Sequence, residues 1–219
     1  MKAYAINGSP RKGGNTATLL DRSLEGLAAE GFETERIDLY GLDYKGCISC
    51  FACKRLGGKS FGRCALKDGL TEVIEKIVGA DVLVFGSPVY LYNVASGYSA
   101  FFERFLFPHV TYEKGQYFRY PKRLVAGFIH TMGVPPEMFE QNGTSEHIQA
   151  YRRFLKDMTG EEPEVMYSFD AYQFSDYSKY SSSAFDLAKK EAHRRDIFPI
   201  DCQDAYEMGR RLAVKAKNG

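Results

Sequence analysis

Apolar positions along the chain fall into two alternating kinds of run. Short apolar blocks give way to longer stretches in which apolar residues recur every third or fourth position, the pattern of strands alternating with helices. Lys2–Asn7, Glu33–Leu39, Asp81–Gly86, Lys122–His130 and Pro163–Phe169 read as five strands. Thr16–Glu30 carries Ala17, Leu19, Leu20, Leu24, Leu27 and Ala28 at helical spacing, and Gly69–Gly79 does so through Leu70, Val73, Ile74 and Ile77. Val94–Phe105 and Ser145–Met158 read as two further helices. Helical sequence returns from about Ala184, and Pro199 should break it before Cys202–Lys217, because proline lacks the amide hydrogen an inner turn needs. Right-handed crossovers with the first strand in the middle give a doubly wound α/β fold, a five-stranded parallel sheet of order 2-1-3-4-5 with helices on both faces. One domain is expected over residues 1–219, with a cysteine-rich loop at 44–68 and a C-terminal helical extension from about 184. In such a sheet the ligand crevice opens beyond the carboxyl ends of strands one and three.

Charge narrows the choice of partners. Lys+Arg 29 against Asp+Glu 28 leaves a net charge of +1, too little for a field that gathers nucleic acid or an anionic membrane. No apolar run approaches the ~20 residues that cross a bilayer. The opening MKAYAINGSP reads as a strand turning into a glycine loop, without a secretory segment. A cytoplasmic protein with no nucleic-acid or membrane partner is expected. That setting changes the meaning of the cysteines, because in a reducing compartment their clustering points to metal or redox chemistry and away from disulfides.

Strand one ends in Gly8-Ser-Pro-Arg-Lys-Gly-Gly-Asn-Thr16, which leads directly into the first helix. Glycines let a ligand approach the backbone, the helix start offers free N–H groups to an anion, and Ser9, Asn15 and Thr16 add side-chain donors. Arg11 adds a guanidinium fork that can neutralise a dianion. Gly14 and Asn15 stand where a Walker A loop needs Lys and Ser/Thr, and the dinucleotide G-x-G-x-x-G is absent too, so a single terminal phosphate fits best. The plainer reading is a glycine turn capped by Asn15 or Thr16. Strand three leads into Ser87-Pro-Val-Tyr-Leu-Tyr-Asn93 and strand four into His130-Thr-Met-Gly-Val134, so three loops can line one pocket at the switch point. A flavin needs this combination of phosphate cradle, apolar or aromatic faces and backbone donors. Of four histidines only His130 is placed to meet such a cofactor; Tyr90 and Tyr92 could equally be packing residues.

Cys47, Cys50, Cys53 and Cys64 form a C-x2-C-x2-C-x10-C run. Three thiols at that spacing can surround a compact centre as ferredoxin-type loops do, with a fourth arriving from farther along. Lys54, Arg55, Lys59 and Arg63 in the connecting arm would offset the negative charge of a thiolate-bound cluster. Three readings stand: a [4Fe–4S] cluster, a structural zinc site lacking the usual second C-x2-C or histidine pair, and reduced thiols packed as small hydrophobes. Cys202, remote in sequence, reads as an inert core residue.

The GSPRKGGNT loop, the cysteine run and the FGSPVY loop together resemble the flavodoxin-like NAD(P)H-dependent FMN reductases, and more narrowly their iron–sulfur flavoprotein branch, over about the first 135 residues. The resemblance implies a flavodoxin-like fold and an FMN whose phosphate lies at Ser9, Arg11, Gly14, Asn15 and Thr16. Its ring would meet Pro88, Val89, Tyr90 and Asn93, and the backbone of Thr131, Met132 and Gly133 would face the pyrimidine. It further implies NAD(P)H as electron donor, a [4Fe–4S] cluster on Cys47, Cys50, Cys53 and Cys64, and a homodimer or higher homo-oligomer. In that branch the fourth cysteine follows more closely than Cys64 does here. Two relatives of this reading stay open, an electron carrier served by ferredoxin or another electron-transfer partner, and a non-catalytic FMN-binding module. The aromatic-rich segments Phe105–Tyr120 and Tyr167–Tyr180 read either as interface or lid, or as cover for the subunit's own core.

Overall fold

The computed structural model of the chain describes residues 1–218. Its strands are β1 (Lys2–Asn7), β2 (Glu33–Asp38), β3 (Val82–Tyr90), β4 (Asn93–Val94), β5 (Val110–Glu113), β6 (Gln116–Phe118), β7 (Val125–Thr131) and β8 (Glu164–Ser168). Its helices are α1 (Asn15–Ala29), α2 (Thr71–Val78), α3 (Ser96–Leu106), α4 (Pro136–Gln141), α5 (Thr144–Ile148), α6 (Ala150–Thr159), α7 (Leu187–Asp196) and α8 (Phe198–Lys217). The parallel strands run β2-β1-β3-β7-β8, which is the expected 2-1-3-4-5 order. β4 folds back on β3, and β5 with β6 makes a separate hairpin inside the first aromatic segment, neither of which the apolar pattern indicated.

Each face of the sheet carries its own core. On one, α1 and α8 bury Leu19, Leu20, Leu27, Met208 and Leu212. The two helices touch backbone to backbone: a Cβ on Gly26 would stand 2.0 Å from the Tyr206 carbonyl oxygen, and one on Gly209 2.0 Å from that of Ser23. Any side chain at either position forces the helices apart. On the other face α3 lays Phe101, Phe102 and Phe105 over Phe85 of β3, with ring centroids 6.3, 4.9 and 6.2 Å away. Burial of such rings dominates core energetics.

Two boundaries differ from expectation for visible reasons. β3 continues past Gly86 to Tyr90, because β7 still pairs with Ser87 and Pro88 while β1 stops opposite Gly86. Pro88 can sit there since one side of the strand has no ladder to feed. The C-terminal helices part at Ile197, and Pro199 lies in the first turn of α8, where its missing N–H has no partner to lose. The expected Ser145–Met158 helix is divided between α5 and α6.

Candidate functional site

The carboxyl ends of β1, β3 and β7 open onto a cavity of about 560 Å³. Ser9, Arg11, Gly14, Asn15, Thr16, Pro88, Val89, Tyr90, Thr131, Met132 and Gly133 all line it. Asn93 does not; its side chain turns back to accept the Val94 N–H at 2.8 Å. The loop before α1 is built from inside: Asn7 Oδ1 accepts the Ser9 N–H at 3.0 Å, Ser9 Oγ accepts the Arg11 N–H at 3.2 Å, and Gly14 N–H closes on the Arg11 carbonyl at 3.1 Å. Arg36, which sequence reading passed over, braces it by donating to the Lys12 carbonyl at 3.0 Å and to Asp21 and Asp38. Thr16 Oγ1 and Thr131 Oγ1 lie 2.7 Å apart, tying this loop to the end of β7.

Helix α1 starts at Gly14 with no side-chain cap and no acidic residue in its first turn. An uncapped helix start leaves N–H groups and the positive end of the dipole to an anion. The expected cap by Asn15 or Thr16 is absent. Two guanidiniums stand at the same cavity, Arg11 and Arg194, and neither forms an ion pair among the described residues. Such donors can hold a dianionic phosphate.

Opposite, Pro88, Val89 and Tyr90 form a partly apolar wall. Burial raises the Tyr90 phenol, with the Arg11 charge pulling the other way, which puts the two within electrostatic reach. The hairpin tip beyond it is unusual: Leu91 and Tyr92 both hold positive φ, 48° and 64°, and Leu91 is 96% exposed. The third segment departs from expectation. The Met132 N–H is occupied by the Ser168 carbonyl at 2.9 Å and the Met132 carbonyl by the Ala171 N–H at 2.9 Å, so Gly133 carries the remaining amide donor. His130 faces the other side of the sheet. It stacks between Phe128 and Tyr167 with ring centroids 6.1 and 6.0 Å away, burial lowers it to about 4, and its Nδ1 has no hydrogen-bond partner.

The rest of the wall was not foreseen. Ala171 to Ser175, just beyond β8, and Arg194 of α7 complete the cavity. Arg11 donates to the Gln173 carbonyl, Asn15 Nδ2 to the Tyr172 carbonyl at 3.3 Å, and Arg194 to Asn15 Oδ1 at 2.9 Å. Lys190, buried in α7, donates to the Gly133 carbonyl at 3.0 Å. The Gln173 amide lies so close over Gly133 that a Cβ there would meet its nitrogen at 2.3 Å. The available signal was the position of the second aromatic segment: it follows the carboxyl end of the fifth parallel strand, the edge where ligands bind. Of that segment, Tyr167 and Phe169 pack on the core, while Tyr172, Phe174, Tyr177 and Tyr180 cluster around the cavity's edge.

All four cysteines of the run border a second, small cavity of about 20 Å³, little more than room for one water. Burial raises the Cys53 thiol, Lys54 opposes, and the charges of Cys64 and Cys50 add to the rise. Ser49 and Phe51, between the cysteines, both hold positive φ, 53° and 54°, a strained pattern for residues with side chains. Of the basic arm, Lys54 acts on the cysteines through its charge, but its hydrogen bonds go elsewhere. Lys54 donates to the carbonyls of Phe107 and Val110, and the cation that reaches a sulfur is Arg104 of α3, whose Nε donates to Cys64 Sγ at 2.9 Å. The Arg104 side chain is 0% exposed and bonds Asp68 with both terminal nitrogens, at 2.7 and 3.1 Å. Burial alone would push the Asp68 carboxyl up; these bonds overcome it and hold the carboxyl below its usual range. Four thiols on one cavity have the chemistry of a cluster ligand set, but they do not converge on a common point: among the described residues no three His, Cys, Asp or Glu side chains are placed to hold a metal ion. Cys202 is half-buried on α8 against the core, its thiol raised by burial.

A parallel sheet in this order with a glycine-rich loop and an uncapped helix start at its switch point defines a flavodoxin-like protein. Residues 1–134 match the NADPH-dependent FMN reductase family, and the chain belongs to it. It is 40% identical over 96 residues to an iron–sulfur flavoprotein of Methanocaldococcus jannaschii, covering 44% of this chain and 47% of that protein. It is 34% identical over 118 residues to an iron–sulfur flavoprotein of Archaeoglobus fulgidus, covering 53% and 51%. The chain thus spans about half the length of the curated relatives it matches. In fold it resembles an NAD(P)H:quinone oxidoreductase from Methanothermobacter marburgensis, with TM-score 0.65, 19% identity, and 97% of this chain and 96% of that one covered. Among the described residues no helix is long and apolar enough to cross a membrane.

Proposed function

We propose that the chain is an FMN-dependent oxidoreductase that takes a hydride from NAD(P)H and passes the electrons to an acceptor, acting as one FMN-binding domain. One observation carries this: the cavity of about 560 Å³ in which an uncapped helix start and the guanidiniums of Arg11 and Arg194 face a wall of Pro88, Val89 and Tyr90. The size suits a flavin mononucleotide. In this reading Ser9, Gly14, Asn15 and Thr16 hold the phosphate with the two arginines, Pro88, Val89 and Tyr90 back the ring, and the Gly133 N–H with the Gln173 amide reads the pyrimidine. Bound FMN supplies the hydride-accepting centre. The chain's part is to bind and orient, with Lys190 and the Ala171–Ser175 segment holding the Gly133 turn in place.

The second reading, an iron–sulfur flavoprotein carrying electrons from ferredoxin or another partner, is supported by the names of the relatives and by four cysteines on one cavity. The link between the two centres is α3. Tyr98 packs beneath Gly8 of the phosphate loop and Arg104 holds Cys64, an interval that rises about 9 Å along a helix. A cluster on Cys47, Cys50, Cys53 and Cys64 requires the thiol side chains to open around it. We further infer a homodimer in the cytoplasm, supported by the exposed Leu91 tip and by Tyr112 and Tyr117, each 71% exposed on the β5–β6 hairpin. The test is protein purified without oxygen, assayed for flavin identity, iron and NAD(P)H oxidation with an added acceptor. FMN with turnover supports the enzyme; iron and FMN without NAD(P)H oxidation favours the carrier; FMN without either leaves a binding module.

A further inference from the structure

A third cavity, of about 520 Å³, lies between α2, the end of α3 and the connection leading to β7, and shares no lining residue with the flavin cavity. Part of its wall is apolar, formed by Leu66, Ile74, Val78, Pro108 and Pro121. His109 is buried in its wall. The ring's Nδ1 lies 3.1 Å from the Arg119 carbonyl oxygen. A carbonyl only accepts, so Nδ1 carries the proton and Nε2 keeps its lone pair. Nε2 makes no hydrogen bond among the described residues. Burial lowers the ring, which favours this neutral form.

The charged groups at the cavity sort into those already engaged and those free. Arg104 is engaged by Asp68 and Cys64, and Arg119 by Glu113 at 2.6 Å. Arg63 makes one long contact, 3.4 Å to the Lys59 carbonyl, and Glu75 forms no ion pair among the described residues. An occupant therefore meets one available cation, two acceptors that ask for a donor (His109 Nε2 and Glu75) and an apolar stretch of wall.

We propose that this cavity binds a small aromatic acid, its ring on the apolar faces, its carboxylate toward Arg63 and a hydroxyl or amino substituent donating to His109 Nε2. The occupant would lie against Cys64 and Arg104, which also wall the cysteine cavity. The site stands independently of what the flavin cavity holds.

The probe is 4-hydroxybenzoate, titrated into the full chain labelled with 15N-histidine, with the His109 signals assigned by their loss in His109→Gln. The expected result is a saturable shift of the Nε2 resonance below about 10 mM probe, and benzoate, which lacks the hydroxyl, binding about two- to tenfold more weakly. Val78→Trp fills the cavity and should abolish the shift while leaving FMN uptake unchanged. Arg63→Glu reverses an exposed charge without touching the core and should weaken the probe by about fivefold or more. No shift at His109, equal affinity of the two acids, or full binding in Arg63→Glu each overturns the proposal, and so does a shift that survives in a folded Val78→Trp.

Discussion

Arg11→Ala tests the phosphate assignment quantitatively. In the protein without cofactor the guanidinium already donates to the Gln173 carbonyl, so binding a phosphate exchanges a neutral-acceptor bond for a charged one. With a charged donor the bond to the neutral carbonyl already belongs to the class worth about 1.5–3 kcal/mol. What the phosphate adds is the attraction between opposite charges, about 0.2–1 kcal/mol at an exposed site, which corresponds to roughly 1.5- to fivefold weaker FMN in the variant. Arg194→Ala should fall in the same range, and the double variant should lose more than the sum of the two, because a dianion left with one arginine leans harder on it. Quenching of flavin fluorescence gives the affinities, and riboflavin, which lacks the phosphate, is the control. Riboflavin affinity should be the same in wild type and variants. If FMN binds Arg11→Ala as tightly as wild type, or if riboflavin loses as much as FMN, the phosphate does not lie at this helix start.

His130 is neutral in the fold and lowered from 6.5 to about 4, whereas the unfolded chain takes up its proton near 6.5. The unfolded state therefore binds more protons in between, and stability present above 6.5 falls as pH drops toward 4. His130→Phe should remove that slope, with a stability gain over wild type that grows to about 3 kcal/mol at the acid end of urea titrations; parallel pH profiles would contradict the burial argument. Cys50→Ala should abolish iron uptake, about four irons per wild-type chain after anaerobic reconstitution, while FMN affinity is unchanged; wild type without iron would leave the sulfurs as packed thiols. Sedimentation at micromolar concentration should show twice the 24.7 kDa chain mass, and a species of single-chain mass alone would remove the homodimer.

The sheet was legible because its central strands β1, β3 and β7 are apolar and buried and α1 is strongly periodic. Its order then followed from crossover handedness with the first strand in the middle, although the edge strand β2, Glu33–Asp38, is largely polar and exposed. The phosphate loop was legible because its chemistry is local: glycines, one arginine and a helix start lie within nine consecutive residues, Gly8 to Thr16. Arg194, Lys190 and Gln173 were not, because nothing in their own sequence context marks them; they join the site only when β8 and α7 fold back across its rim. Arg104 was hidden differently. It sits on an aromatic helix far in sequence from the cysteines, and its burial depends on Asp68 arriving from a third segment. Tyr90 is picked out as a ring contact by the family resemblance, since nothing in its own context sets it apart among fifteen tyrosines, and the strand carries it to the cavity wall. Loop residues counted as cofactor contacts from the backbone, such as Met132, fail when another strand has already claimed the amide.

The most direct test of the account is to load the chain with FMN without oxygen and add NADH or NADPH. The account predicts that the yellow flavin absorbance bleaches with one equivalent of at least one of the two nucleotides and returns when an acceptor is added. Flavin that stays oxidised in the presence of both, yet bleaches with dithionite, would contradict the assignment of hydride transfer from NAD(P)H.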